Sequence, residues 1–159
     1  MAGISNKQIS IDIVPLRAED RNSWNIMARG YKTFYETDLH DSIYDEVWHR
    51  LLNADGIYGF GAHLQGNLVG IAHYQFHRTI WMEDACYLQD LFVDEASRGH
   101  GVARALIERL AQSARENNAS RFYWHTRQDN TTARLLYDKV ANYKVSFAMI
   151  IRLSKTTTL

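Results

Sequence analysis

Cysteine is almost missing from this chain: Cys86 is the one thiol in 159 residues. A lone thiol closes no internal disulfide and builds no zinc-thiolate cage. Set inside an apolar run, it reads as a small buried hydrophobe. Net charge is missing too, because 18 Lys and Arg meet 18 Asp and Glu. Without a global basic field, neither nucleic acid nor a membrane is expected as a partner. No apolar run approaches the roughly 20 residues of a membrane span, and residues 1–10 hold no signal-like apolar core. The cytoplasm is the expected compartment. Repeats, low-complexity tracts and linkers are also lacking, so a single domain over residues 1–159 is expected.

What remains is ordinary globular material, 46% apolar and 23% charged. Ile9, Ile11 and Ile13 alternate with Ser10, Asp12 and Val14, which predicts a first strand ending near Pro15. Glu19 and Asp20 place negative charge where a helix start favours it. Trp24, Met27, Ala28, Tyr31, Phe34 and Tyr35 then recur at helical spacing. Trp24, Met27 and Ala28 are expected against a sheet. Tyr31 and Tyr35 either pack likewise or line a pocket. A helix over 43–52 turns Val47, Leu51 and Leu52 inward, and Ala54-Asp55-Gly56 breaks it. Strands over 58–64 and 68–76 meet at Gln65-Gly66-Asn67, a hairpin signal. The nearly continuous apolar run 86–93 belongs in the middle of the sheet. A helix over 101–117 follows, with Val102, Ala105, Leu106, Ile107, Leu110 and Ala114 inward. A strand over 121–126, a helix over 131–139 and a strand over 146–153 complete a mixed α/β order.

The chemistry concentrates after the central strand, in Asp94-Glu95-Ala96-Ser97-Arg98-Gly99-His100-Gly101-Val102-Ala103. A glycine-bearing loop leading into a helix presents backbone N–H groups and the positive end of a dipole to phosphate. Gly99 and Gly101 remove Cβ atoms that would hold a pyrophosphate away, and Arg98 adds a charge-assisted contact. A P-loop would continue Gly-Lys-Ser/Thr, but Val102-Ala103 stands there. A dinucleotide fingerprint would need a third glycine at the position of Arg104, and an acid where His125-Thr126-Arg127 ends the next strand.

The loop resembles the acetyl-CoA motif of the GNAT N-acetyltransferase superfamily, Arg/Gln-x-x-Gly-x-Gly/Ala, met by Arg98, Gly101 and Ala103. The Leu91-x-Val93 strand stands just upstream. Asn130-Thr131-Thr132-Ala133-Arg134-Leu135-Leu136-Tyr137 resembles the second signature, Asn-x-x-Ala-x-x-x-Tyr. Within the superfamily, Tyr87 to Asp94, Tyr123-Trp124 and His77 to Trp81 look most like the histone, polyamine and D-amino-acid acetyltransferases. The resemblance implies a single-domain α/β fold, a mixed central sheet flanked by helices, with a splayed and bulged central strand. It implies that the backbone of Leu91, Phe92 and Val93 pairs with the pantetheine arm as an added strand would. An amide near Phe92 or Val93 would polarise the thioester carbonyl, with the side chains of 91 and 93 in the core. Arg98, Gly99, His100, Gly101, Val102, Ala103 and Arg104 would hold the pyrophosphate, and Asn130 would contact the pantetheine or order its loop. Tyr137 would act as general acid towards the departing thiolate, or else pack on the sheet. A homodimer is implied as well, and Phe147, Met149 and Ile151 would suit strand pairing between copies or close the sheet of a monomer.

The acceptor is less defined. Related polyamine enzymes carry a glutamate where this chain has Gln89, which leaves Glu83, Asp84 and Asp90 as nearby carboxylates that act through water or merely face solvent. Tyr31, Tyr35, Glu83 and Asp90 are the expected substrate residues. Glu36, Asp38, Asp41, Asp45 and Glu46 form an acidic run without Lys or Arg; it either draws a cationic acceptor or is a solvated helix face. His73 and His77 share a strand face, but with no third ligand no metal site is expected. The expected reaction is acetylation of a primary amine, on a small or flexible cationic molecule. Protein lysine or N-terminal amines are one alternative, and acetyl-CoA binding without turnover is another. After Tyr137 the chain reads Asp138-Lys139-Val140-Ala141-Asn142-Tyr143, without the Gly-Phe pair frequent in the superfamily.

Overall fold

A computed structural model describes residues 10–144. The expected strand over 146–153, with Phe147, Met149 and Ile151, lies outside the described residues. The chain divides into two compact units, Met1–His125 and Thr126–Leu159.

The first unit runs β1 (Ile11–Pro15), α1 (Arg21–Phe34), α2 (Asp41–Leu52), β2 (Tyr58–Leu64), β3 (Asn67–His77), β4 (Ala85–Val93), α3 (Val102–Glu116) and β5 (Arg121–Trp124). These strands form one sheet in the order β1-β2-β3-β4-β5. The first four are antiparallel, while β5 joins β4 in parallel. This is the mixed α/β sheet expected, with β4 bonded on both sides. Gln65 and Gly66 form the β2–β3 turn with φ of 52° and 82°. Positive φ at both centres is what a two-residue hairpin needs to match strand twist.

Two bulges set which side chains face which way. Ala62 pairs Gly70 and His63 pairs Leu68, so Val69 is an extra residue on β3. His73 pairs Asp90 and Tyr74 pairs Leu88, so Gln89 is an extra residue on β4. Because strand side chains alternate with period two, one extra residue exchanges the two faces beyond it. The bulge at Val69 carries Leu68 to the face beneath α1 and α2, opposite His63, which ordinary alternation in β2 already turns there. There, His63 Nε2 lies 2.9 Å from Asp20 Oδ1. Asp20 Oδ2 also accepts from the Arg17 amide at 2.9 Å. The carboxylate expected to favour the start of α1 thus ties that turn to β2.

Trp24, Met27 and Ala28 bury the inner stripe of α1 as its spacing predicts, and they pack with Tyr44, Trp48, Leu51 and Ile71. Leu52, expected inward, is exposed, and Tyr44 and Trp48 take the inner face of α2 instead. At 100° per residue, Leu52 falls off the stripe that Tyr44, Trp48 and Leu51 share. Across the sheet, α3 buries Val102, Leu106, Ile107, Leu110 and Ala114. A Cβ on Gly70 would come within 2.9 Å of Val102 Cγ1, so this glycine lets α3 lie close to β3. Cys86 is buried among apolar groups, and burial pushes its thiol up to about 11.

In the second unit, α4 spans Thr131–Val140. Asn130 precedes it, and its side chain donates to Thr126 Oγ1 at 3.1 Å.

Candidate active site

The bulge at Gln89 divides β4. Residues 85–88 pair with β5, whose register ends at Leu88↔Trp124. Residues 90–93 pair with β3 alone among the described strands. The strand is therefore splayed from Gln89 onward, leaving a free backbone edge. The Asp94 amide donates to Val69 carbonyl oxygen at 2.9 Å. Alternation along an antiparallel ladder then turns the peptide groups of Phe92 and Asp90 towards β3, and those of Leu91 and Val93 towards the free edge. Val93 carbonyl oxygen, facing that way, lies 3.4 Å from Arg98 Nε. Of the two amides considered for the thioester carbonyl, Phe92 is directed into the sheet and Val93 outward. Leu91 and Val93, expected in the core, are half-buried. The Phe92 ring lies against α1, where a Cβ on Gly30 would be 2.8 Å from its Cζ.

The loop beyond β4 supplies a cradle at the helix start. Gly99 and Gly101 have φ of 79° and 83°, with no heavy atom within 4 Å of where a Cβ would stand. A side chain there would be strained and would fill the space in front of α3. The Ala105 amide makes the first helical bond, to Gly101 carbonyl oxygen at 3.0 Å. The Val102, Ala103 and Arg104 amides stand ahead of the ladder, at the positive end of the dipole. Val102 can offer only its backbone, since its side chain is in the core. Arg98 is half-exposed and 4.0 Å from Glu95, Arg104 lies 3.7 Å from Glu108, and His100 Nδ1 is 3.2 Å from Ser97 carbonyl oxygen.

On the opposite face a pocket of about 280 Å³ opens between α1, α2 and the β3–β4 pair, lined by Trp24, Tyr31, Lys32, Arg50, His73 and Asp90 among others. The bulge brings Asp90 here. In unbroken alternation from Leu88, Asp90 would have joined Leu88 on the α3 face. Its Oδ2 is 2.9 Å from His73 Nδ1. His73 Nε2 in turn is 2.8 Å from Trp24 Nε1. An indole N–H only donates, so Nε2 is the acceptor and Nδ1 carries the ring proton that Asp90 accepts. Burial raises the Asp90 carboxyl. The His73 hydrogen bond, the His73 and Lys32 charges and Tyr31 outweigh it and hold the group below the usual range. Burial, with the Asp90 charge next, pushes the Tyr31 phenol far above its ordinary value, so it stays a donor. The Tyr31 hydroxyl lies 3.4 Å from Gln89 carbonyl oxygen.

Of the four expected substrate residues, Tyr31 and Asp90 line this pocket. Tyr35 packs against Tyr31 with the rings tilted and their centroids 4.9 Å apart. Glu83 is exposed in the β3–β4 loop and its carbonyl oxygen accepts from Ser120 Oγ at 2.7 Å, so it is not brought to the pocket. None of the five acids of the run 36–46 lines it either, although Leu39, Ile43 and Tyr44 between them do, and Asp41 and Asp45 pair with Arg29 and Arg21. His77 is given to Tyr123, with Nε2 2.8 Å from its hydroxyl. The Trp24–His73–Asp90 chain was not legible in the sequence, where the three residues stand far apart and in unrelated patterns. Asn130 and Tyr137 belong to the second unit, where Tyr137 is half-buried on α4.

The model of the acetyltransferase (GNAT) family matches residues 24–143. The chain belongs to the GNAT family. It is therefore an acetyl-transferring enzyme working on amine acceptors, as its relatives' names state. This GNAT chain is 32% identical over 136 residues to the D-amino-acid N-acetyltransferase HPA3 of Saccharomyces cerevisiae, covering 82% of itself and 84% of that protein. It is 29% identical over 84 residues to the thialysine N-epsilon-acetyltransferase of Caenorhabditis elegans, covering 53% and 52%. Its fold is that of the aminoglycoside acetyltransferase AAC(6')-Iy bound to a CoA bisubstrate analogue, with TM-score 0.80, 17% identity, and 92% and 99% of the two chains covered.

Proposed function

We propose that this protein transfers the acetyl group of acetyl-CoA to the primary amine of a small molecule bound in the pocket beside Asp90. The observation that carries the reading is the free edge of β4, which starts at the bulge and ends at the glycine cradle. The pantetheine arm would pair along Leu91 and Val93, with the outward Val93 amide as donor to the thioester carbonyl. The pyrophosphate would take the amides of residues 102–104 with Arg98 and Arg104. The positive-φ glycines and the space beside them fit such a group. Tyr137 serves as general acid to the departing thiolate, and Asn130 orders the pantetheine, both by family resemblance. That resemblance also supports a homodimer; one catalytic domain over residues 1–159 and a cytoplasmic location complete the proposal, on the composition of the chain.

The pocket charges favour one acceptor class. Lys32 and Arg50 line it together with Asp90, a set suited to a molecule bearing both an amine and an acid. A polycation would meet the two bases. An amino acid is the acceptor this predicts, in keeping with the name of the yeast relative. The test is CoA thiol release from acetyl-CoA across D- and L-amino acids, polyamines, aminoglycosides and basic peptides. Turnover with amino acids is expected. Turnover confined to polyamines or peptides would overturn the acceptor class. Tyr137→Phe is expected to lower kcat by about a hundredfold with little change in KM. An unchanged rate across pH would remove Tyr137 from the mechanism.

A further inference from the structure

We infer that Asp90 is the carboxylate acceptor for the attacking nitrogen, and that His73 and Trp24 are positioning residues that aim it. The inference rests on the reading that an amine is acetylated in this pocket.

The arrangement is built rather than incidental. An extra residue in β4 turns Asp90 out of the α3 face. His73, opposite it on β3, presents an N–H to the carboxylate because Trp24, buried in α1, occupies the other ring nitrogen with a donor. With Trp24 donating to Nε2, the ring presents its Nδ1–H to Asp90 as a directed hydrogen bond. The other groups facing the carboxyl are Tyr31 and Lys32 of α1 and, on its own strand, Tyr87; Arg50 of α2 lines the same pocket.

This excludes one role and assigns another. A carboxylate held below its ordinary value of 3.8 is a poor base for an ammonium of pKa about 10.4, a gap of more than about six units. Asp90 is not the base, and the amine reacts from its deprotonated fraction. As the free amine attacks, the N–C bond forms and the nitrogen becomes positive. An aligned, desolvated carboxylate stabilises that charge where it develops. The C–S bond then breaks, sulfur takes a proton from the general acid, and the surplus proton on nitrogen passes to water, from which the acid is restored.

The test combines kinetics with the ¹³C titration of the Asp90 carboxyl, on the full chain. Wild type should show no acidic limb from Asp90 above about pH 4, with its carboxyl titrating below the ordinary value. In His73→Leu that donor is gone, and Lys32 and Tyr31 are left to oppose burial. The carboxyl should then titrate higher than in wild type, and kcat/KM should fall as pH drops through that higher point. At neutral pH kcat should fall about tenfold or more, with the KM for acetyl-CoA unchanged. His73→Asn retains an N–H near the position of Nδ1 and should restore most of both readouts. Trp24→Phe removes the donor that fixes the ring and should lower kcat, with a smaller effect than His73→Leu. An Asp90 titration unmoved in His73→Leu, or a rate loss with an unchanged pH profile, would overturn the inference. Wild-type silence with every amine would instead tell against the acetyl-CoA reading, while the substrate-free titrations still decide this one.

Discussion

Beneath α3 the sheet is filled with Val102, Leu106, Leu110, Cys86 and Leu88, all nearly inaccessible, and a polar contact there is Ser113 with Tyr74. Beneath α1 and α2 the same sheet buries or half-buries Trp24 with His73 and Asp90, and His63 with Asp20. One face gains stability from close-packed apolar surface, which is non-directional and tolerant of where each atom lies. The other holds polar groups that must each find a partner, an arrangement with a large penalty for any error. Such a network is retained where chemistry needs a fixed charge. The pocket lies on that polar face.

Deleting Gln89 tests this contrast most severely. Regular alternation would return Asp90 to the α3 face and place a carboxylate among leucines. Amine acetylation should disappear, and the loss should persist at temperatures where circular dichroism still reports a folded chain. A chain with normal kcat after the deletion would mean that the bulge does not aim the site.

Leu110→Ala probes the dry face. Leu110 is fully buried on α3, so the substitution should lower stability by about 2–5 kcal/mol, read from urea midpoints. The pH profile of kcat/KM should keep its shape, because no polar partner of Asp90 moves. A profile altered as in His73→Leu would show that the two faces are coupled.

The smallest effect concerns Cys86. With its thiol pushed up to about 11 by burial, little thiolate forms near pH 8 and access is closed. Native protein should react with a thiol reagent far more slowly than urea-unfolded protein. Equal rates would show that this face opens readily.

Much of this arrangement is legible in the sequence. The β2 and β3 hairpin was visible because Gln65-Gly66 is a local turn signal, and its positive φ angles depend on those two residues alone. The stripe of α3 was visible because helical periodicity repeats over four turns. The glycine cradle was visible because Gly99 and Gly101 adopt φ values that other residues reach only with strain. Leu52 was misplaced because a short helix leaves its stripe ambiguous by one residue, and the large aromatics Tyr44 and Trp48 took the inner positions. Phe92 and Val93 were interchangeable as amide donors in the sequence. Their difference is a phase of the ladder with β3, which no local pattern records.

The sequence by itself therefore determined the elements, the α/β class, the phosphate-type loop and the family signatures, since each depends on contacts within a few residues. Only the tertiary structure decided which face Asp90 occupies, that Trp24 and His73 stand behind it, and that the carboxylates of the run 36–46 do not line the pocket. Those outcomes depend on a one-residue offset between paired strands. A bulge leaves almost no trace in composition or period, yet it reverses the direction of every side chain beyond it.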